Sequence, residues 1–378
     1  MLSLNKIFDK FSKKKPRIRG RGLTAGPEAT IVPRSEHTIS RKQISPAALK
    51  VLYGLKEAGY EAYLVGGCVR DLLLGHEPKD FDVATDASPE QVHKVFRRSQ
   101  LIGRRFKLVH VRFGREIIEV ATFRAPPEAD QHIDDAGRIM RDNVYGTLEQ
   151  DAARRDFTIN ALYYSAIDFK VHDFADGVKD IAQRRIRLIG DPETRYREDP
   201  VRMLRAIRFA TKLDMEISPE TKAPIAELSS LLENIPAARM FEEFSKLFIS
   251  GKSVANYQQL RHFDLFKYFF PALDNMLEEE RSDFVQSFVE LSMTNTDARI
   301  NNDQRVTPAF LFAAMLWYPL QEKIQIVKTK EQLSPQDAFF AGLGEIMSVQ
   351  QQSIAIPKRF QAVMKDIWIL QDRLTKRD

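Results

Sequence analysis

The chain has 378 residues, 43% of them hydrophobic, with a net charge of +5 and a sequence pI near 9.1, enough material for two or three domains. Its single cysteine, Cys68, excludes an internal disulfide and fits a reducing compartment. Seven scattered histidines give no zinc spacing, and no apolar run approaches the roughly 20 residues needed to span a membrane.

Residues 1–25 carry eight Lys or Arg, among them Lys13, Lys14, Lys15, Arg17, Arg19 and Arg21, against one acid, Asp9. With Pro16, Gly20 and Gly22 close by, this predicts a flexible basic arm over 1–42. Such an arm contacts an RNA backbone, or is a solvated tail or targeting segment; the apolar stretch of a secretory signal is missing.

Ser45 to Gly59 has helical apolar spacing and ends at a glycine. Tyr63-Leu64-Val65 then reads as a strand, Gly66-Gly67 as a tight turn, and Val69 to Leu74 as a short helix closed by Gly75. After Pro78 comes Asp80-Phe81-Asp82. Strand alternation puts the two aspartates on one face and Phe81 in the core. A Gly-Gly turn lets backbone N–H groups approach a triphosphate, and paired aspartates suit the Mg²⁺ that a triphosphate needs. Either feature alone is weak, since most such glycines are plain turns and strand surfaces are often acidic. In this order, within one short stretch, they carry a signal.

Ser88 to Arg97 opens Ser-Pro-Glu, a helix start. Lys107 to Phe113 and Glu116 to Phe123 read as strands joined at Gly114. Ile117, Glu119 and Ala121 share a face of the second. There Glu119 is either the solvent side of an edge strand or a functional carboxylate. Residues 126–142 are polar and aperiodic, a loop of the kind that clamps primer or nucleotide beside a site. Arg154, Arg155 and Asp156 precede an apolar helix or turn, Phe157 to Tyr163, which Asp156 would cap. Lys170 to Gly190 reads as a strand pair around Asp176-Gly177, closing a palm-like sheet.

Beyond Asp199 the periodicity is helical. Asp199-Pro200 is a helix start. In the helix that follows, Arg202, Arg205 and Arg208 form a stripe opposite Met203, Leu204, Ile207 and Ala210. Such a stripe repels itself unless acids or phosphates answer it, and the arginine fork suits base edges and phosphates. The rest alternates helical patterns with breaks at Pro236, Pro271, Pro308, Pro319, Pro335 and Pro357. Phe241, Phe244, Phe248, Phe263, Phe266, Phe269 and Phe270 read as helical core rather than base-stacking surface. There is no repeat of fixed period and no His-Asp phosphohydrolase pattern, and the absence of GxxxxGK[ST] and HExxH excludes P-loop and zincin readings.

Four separated motifs share a context: LVGGCVRD with DFD, IIEVATFR around Glu119, RRDFTINAL at Arg154 to Leu162, and EDPVRMLRAIRF at Glu198 to Phe209. In this order they resemble one branch of the nucleotidyltransferase superfamily, the bacterial poly(A) polymerases and CCA-adding enzymes. The resemblance runs from about Ile44 to about Leu247. It implies an α+β fold. Behind the arm of 1–42 would stand a palm-like catalytic domain over 43–190, a mixed β-sheet with helices. An all-α region would follow: a nucleotide- and RNA-binding neck over 191–250 and an RNA-binding body over 251–378.

The resemblance also implies roles. Asp80, Asp82 and Glu119 would hold the metal. With Asp156 they form the catalytic set, in which Asp156 either acts directly or orients Arg155 or Asn160. Gly66, Gly67 and Arg70 would hold the triphosphate, and Arg155 would bind nucleotide. Asp199 and Arg202 would read the incoming base, with Asp199 holding the Arg202 side chain in place and Arg205 and Arg208 as further nucleotide contacts. The implied chemistry is two-metal phosphoryl transfer with Mg²⁺, from ATP to a single-stranded RNA 3′ end, in the cytoplasm and away from membranes. Three readings compete: a template-independent poly(A) polymerase for RNA polyadenylation and turnover, a CCA-adding tRNA nucleotidyltransferase, and a non-catalytic RNA-binding protein on the same fold. Intact carboxylates speak against the third. The stretches SEHTISRKQISPAALKVLYGL, KDFDVATDASPEQV and LIGDPETRYREDPVRML favour the first. Poly(A) polymerases usually continue into a long basic C-terminal tail; this sequence departs from them at Lys376-Arg377-Asp378, which bears on RNA affinity.

Overall fold

A computed structural model describes residues 29–103, 107–125, 144–279 and 283–375. The expected arm up to residue 28, the loop over 126–142 and Lys376-Arg377-Asp378 lie outside the described residues. The chain divides into two compact units, Met1–Pro192 and Glu193–Asp378.

The first unit is built on a mixed sheet of eight strands among the described residues. They are β1 (Thr30–Val32), β2 (Ala62–Val65), β3 (Asp82–Thr85), β4 (Ser99–Ile102), β5 (Leu108–Phe113), β6 (Glu116–Thr122), β7 (Leu162–Tyr164) and β8 (Val171–Asp173). Their order is β1-β8-β7-β2-β3-β6-β5-β4. Only the β3–β6 pairing is parallel. Interleaved with them are α1 (Pro46–Glu57), α2 (Gly67–Leu73), α3 (Pro89–Val95), α4 (Leu148–Arg154) and α5 (Gly177–Ala182). Local chemistry explains the helix starts. The Ser45 hydroxyl accepts from Ala48 N, and Ser88 and Thr147 each form a capping box with the glutamine three residues on. Helix α1 buries Ala47, Ala48, Val51, Leu52 and Leu55 and packs against β2, β3 and β6.

Two strands sit where helical or flexible chain was expected. Residues 30–32, assigned to the arm, add β1 to the edge of the sheet against β8. Phe157 to Tyr163 is not an apolar helix: Thr158–Asn160 makes one 3₁₀ turn, and Leu162-Tyr163-Tyr164 is a fully buried strand beside β2. A short apolar run buried on both faces has no alternation to distinguish it from a helix. Both strands expected over 170–190 are present, but not as a pair: Val171–Asp173 pairs with β1 and β7, and a helix, α5, separates it from the strand Arg185–Ile186. The buried Asp173 carboxylate accepts from the backbone N–H groups of Ala175, Gly177 and Val178, which starts that helix. The hairpin at Gly114 is as read, with Phe113 opposite Glu116.

The second unit is helical: α6 (Pro192–Glu198), α7 (Val201–Leu213), the short α8 (Pro219–Lys222) and α9 (Ile225–Leu228), α10 (Ala237–Phe248), α11 (Ser253–His262), α12 (Pro271–Leu277), α13 (Asp283–Asn301), α14 (Pro308–Met315), α15 (Trp317–Glu331), α16 (Pro335–Ser353) and α17 (Lys358–Thr375). Its core is aromatic. Phe244 stacks on Phe312 at 4.1 Å and on Phe248 at 5.0 Å, and meets Phe270 edge-on. Phe244, Phe248, Phe266, Phe269 and Phe270 are fully buried, whereas Phe241 and Phe263 keep part of their surface in solvent. The residue-250 division thus falls between side chains of one core. Among the described residues no helix is long and apolar enough to cross a membrane.

Candidate active site

The site in the first unit begins at the end of β2. Gly66 takes φ +77°, ψ −130°, a conformation closed to side chains with a Cβ, and its N–H donates to Leu162 O at 3.2 Å. Helix α2 follows at once and ends at Gly75 (φ +78°). There Gly75 N donates to Leu72 O and His76 N to Asp71 O, closing the helix end as the glycine predicts. The missing Cβ of Gly66 also leaves space: one built there would lie 3.4 Å from Arg155 Nη1.

Strand β3 starts at Asp82, so Asp80 lies just before the strand rather than in it. The alternation still holds: Phe81 is buried between two exposed aspartates. Glu119 is set by register. It is the Cα partner of Asp82 across the parallel β3–β6 pair and of His110 across β5–β6. Strand β6 therefore lies inside the sheet, and the edge-strand reading of Glu119 fails. His110 Nε2 approaches Glu119 Oε2 at 3.5 Å. Asp82 remains open to solvent, yet its carboxyl is pushed up to about 6. Burial by surrounding protein is the main cause and the Glu119 charge the next; Arg155 pulls the other way, and Asp80 adds to the rise. These carboxylates repel one another, and a cation among them would relieve that repulsion. Among the described residues, no three or more His, Cys, Asp or Glu side chains close into a ready-made metal cage.

The remaining residues of this unit form two hydrogen-bonded chains. Arg70 is 3% exposed. Its Nε donates to Asp71 Oδ1 at 2.8 Å and its Nη1 to Asn160 Oδ1 at 2.7 Å. Asn160 Nδ2 in turn donates to Asp156 Oδ1 at 3.3 Å, which also accepts from Phe157 N. The buried Arg70, expected at the triphosphate, is thus tied to Asp71 and Asn160, and Asn160 is in turn bonded to Asp156. Arg155 belongs to the other chain, with Asp151 and Tyr163. Asp151 was not singled out from sequence, although an acid four residues before an arginine on a helix is a recognisable pair. Tyr163 gave no such sign.

In the second unit, Asp199 precedes α7. One carboxylate oxygen accepts from Val201 N at 3.2 Å, and the other from Arg239 Nη2 at 2.7 Å. Arg202 is held elsewhere: its Nη1 donates to Glu198 Oε2 at 2.8 Å and to Arg195 O at 2.7 Å. So Asp199 and Arg202 lie three residues apart, but each has its own anchor. Arg205 and Arg208 bracket Phe209, their guanidinium carbons 5.4 and 4.6 Å from the ring centre. All three stripe arginines are half-buried, and Met203, Leu204 and Ile207 are fully buried opposite them. Two hollows of about 330 and 460 Å³ in this unit are lined by none of the predicted site residues.

Comparison with known proteins gives these residues a setting. Residues 62–187 match the family model of the poly A polymerase head domain, 214–277 that of the "Probable RNA and SrmB- binding site of polymerase A", and 331–378 that of the polymerase A arginine-rich C-terminus. The chain is 54% identical over 359 residues to poly(A) polymerase I of Salmonella typhi, covering 93% of this chain and 77% of that one. With poly(A) polymerase I of Haemophilus influenzae it shares 47% over 369 residues, covering 96% and 82%. A CCA-adding enzyme of Bacillus subtilis is 44% identical over 200 residues, 53% of this chain and 49% of that one. Among solved structures, the Bacillus stearothermophilus CCA-adding enzyme in complex with CTP aligns with a TM-score of 0.55 at 26% identity, covering 85% of this chain and 82% of that one.

Proposed function

This chain belongs to the poly(A) polymerase family, and from that premise we propose that it is a template-independent polynucleotide adenylyltransferase that adds AMP from ATP to RNA 3′ ends. One observation carries the choice of product. Identity to the poly(A) polymerases continues through the helical unit at 93% or more of the chain, whereas the match to the B. subtilis CCA-adding enzyme covers 53%.

In this reading the RNA 3′-hydroxyl oxygen bonds to the α-phosphorus of ATP while the bond from that phosphorus to the β-phosphate bridge breaks, releasing pyrophosphate. Asp80 and Asp82, with Glu119 beside them, would hold Mg²⁺. The ion takes one or two carboxylates together with substrate phosphates and water, so this open acidic set suits it. When bound, Mg²⁺ supplies a lowered pKa at the attacking hydroxyl and neutralises charge on the β- and γ-phosphates. The Gly66-Gly67 turn admits the triphosphate to backbone N–H groups, with Arg70 as a further triphosphate contact, and Asp156 acts in the catalytic set directly or through Asn160. Arg155 contacts the nucleotide. Asp199 and Arg202 would read the base, and Arg205 and Arg208 would be further nucleotide contacts. Residues 43–190 would be the catalytic domain and the helical region the RNA holder. A lone buried cysteine and the use of ATP and RNA fit the cytoplasm.

The test is incorporation by purified protein with Mg²⁺, each NTP in turn, an oligo(A) primer and a tRNA lacking its CCA end. Long extension with ATP alone on the oligo(A) primer is expected. CTP addition to the tRNA, stopping after three residues once ATP is supplied, would instead identify a CCA-adding enzyme.

A further inference from the structure

Arg155 terminates α4 with extended backbone, φ −64° and ψ 164°, so its side chain turns back along the helix. Its Nε donates to Tyr163 Oη at 2.8 Å and to Asp151 Oδ2 at 3.2 Å, and its Nη2 donates to the same Oδ2 at 3.0 Å. The Tyr163 hydroxyl donates to that oxygen as well, at 2.7 Å. The other Asp151 oxygen accepts from Arg124 N at 3.2 Å. Both anchors are inside the protein: Asp151 is 6% and Tyr163 0% exposed. The Tyr163 ring is clamped edge-on between Tyr63 and Phe174, at 6.4 and 6.0 Å, and its Cα partner across the sheet is Val65, the residue before Gly66.

This geometry places two guanidinium nitrogens, Nε and Nη2, on a buried acid and a buried hydroxyl and sets Nη1 beside Gly66, 3.4 Å from where a Cβ would stand there. Stability alone does not require such a device, since buried ion pairs are replaceable by apolar packing at little or no cost. An arginine side chain loses rotamer entropy when a ligand fixes it, and fixing it before the ligand arrives removes that cost from binding. We propose that Asp151 and Tyr163 are positioning residues that aim Arg155 at the glycine turn for the phosphates of the incoming nucleotide. The inference rests on the reading of Arg155 as a nucleotide contact. The network also keeps its charge state. Burial opposes the Arg155 charge, but Tyr163 and Asp151 outweigh it and leave the guanidinium more firmly protonated, while burial pushes the Tyr163 hydroxyl up.

The test is a kinetic cycle of Tyr163→Phe, Arg155→Lys and the double variant, reading KM for ATP, KM for primer RNA and kcat. Tyr163→Phe removes one oxygen and keeps the ring, and circular dichroism and the thermal midpoint report its folding. A rise of about fivefold to tenfold in KM for ATP is expected, with KM for RNA unchanged; in the Arg155→Lys background the same substitution should add less than about twofold, because the two residues act through one contact. Asp151→Asn, which keeps an acceptor but loses the charge, gives the same comparison should Tyr163→Phe fold poorly. An unchanged KM for ATP, or equal losses in both backgrounds, overturns the positioning role. An unchanged KM for ATP in Arg155→Lys alone overturns the nucleotide-contact reading beneath it.

Discussion

At Asp82 the carboxyl is pushed up to about 6 by burial and by the Glu119 charge, so near neutral pH it ionises against local opposition. The sign of its effect on stability follows. Between its ordinary value of 3.8 and its native value of about 6, the folded protein holds a proton that the unfolded chain has lost. This carboxyl therefore stabilises less as pH rises through 6 and more as pH falls. Without metal, Asp82→Asn should raise the thermal midpoint at about pH 8 by roughly 1–3 °C, a small shift because an open carboxylate is screened, and the difference should close below about pH 4. Scanning calorimetry across pH checks this. The same substitution should abolish AMP addition; near-wild-type rates at saturating Mg²⁺ would remove Asp82 from the site. The geometry of this stretch was readable in advance: alternation around a buried Phe81 is local and leaves Asp80 and Asp82 exposed. The partners of Arg155 were not readable together: Asp151 lies one helical turn away in sequence, but Tyr163 reaches it only once β7 is placed beside β2.

Elements whose chemistry is local matched their sequence reading, and those fixed by distant partners did not. The hairpin of β5 and β6 follows from alternation and Gly114, whereas β1 and β7 are set by β8 and β2, partners far away in sequence. Helix α7 shows both cases. Its arginine stripe and apolar face follow from a 3.6-residue period. Its anchors do not: Arg239 lies 40 residues from Asp199, and Glu198, not Asp199, holds Arg202. Base choice by a protein surface needs donors and acceptors that stay in place, so these anchors should matter separately. Glu198→Gln removes the charge that holds Arg202 and leaves its bond to Arg195 O, and Arg239→Ala removes one anchor of Asp199 and leaves that from Val201 N. Each should narrow the ATP-over-GTP ratio in kcat/KM by about fivefold to thirtyfold, the range expected for a loosened polar contact of about 1–2 kcal/mol. Equal losses across all four NTPs would make these contacts phosphate clamps or structural braces instead.

For the molecule as a whole, the uneven charge matters more than its total. The first 25 residues hold a surplus of seven positive charges, eight Lys or Arg against Asp9, so the net +5 leaves the rest of the chain at −2. A body with that balance needs either local patches, such as the α7 arginines, or the arm itself to hold a polyanion. The charge surplus of residues 1–25 was legible as composition alone. That residues 30–32 join the sheet was not: Thr30–Val32 is three residues of ordinary strand sequence, recognisable only against β8. Release of counterions from RNA makes log affinity fall with log salt by about 0.7 per phosphate contact on a single strand. Deleting residues 1–25 should therefore weaken binding to a poly(A) oligomer at low salt and flatten that slope by about 2–5, if three to seven of the arm's charges reach phosphates. Addition to a short primer at low salt should change little, because the carboxylates and the glycine turn remain. Fluorescence anisotropy over a salt series decides it. An unchanged slope would assign the RNA grip to the arginines of the helical unit, which an Arg205→Ala, Arg208→Ala double variant in the full chain would then flatten instead.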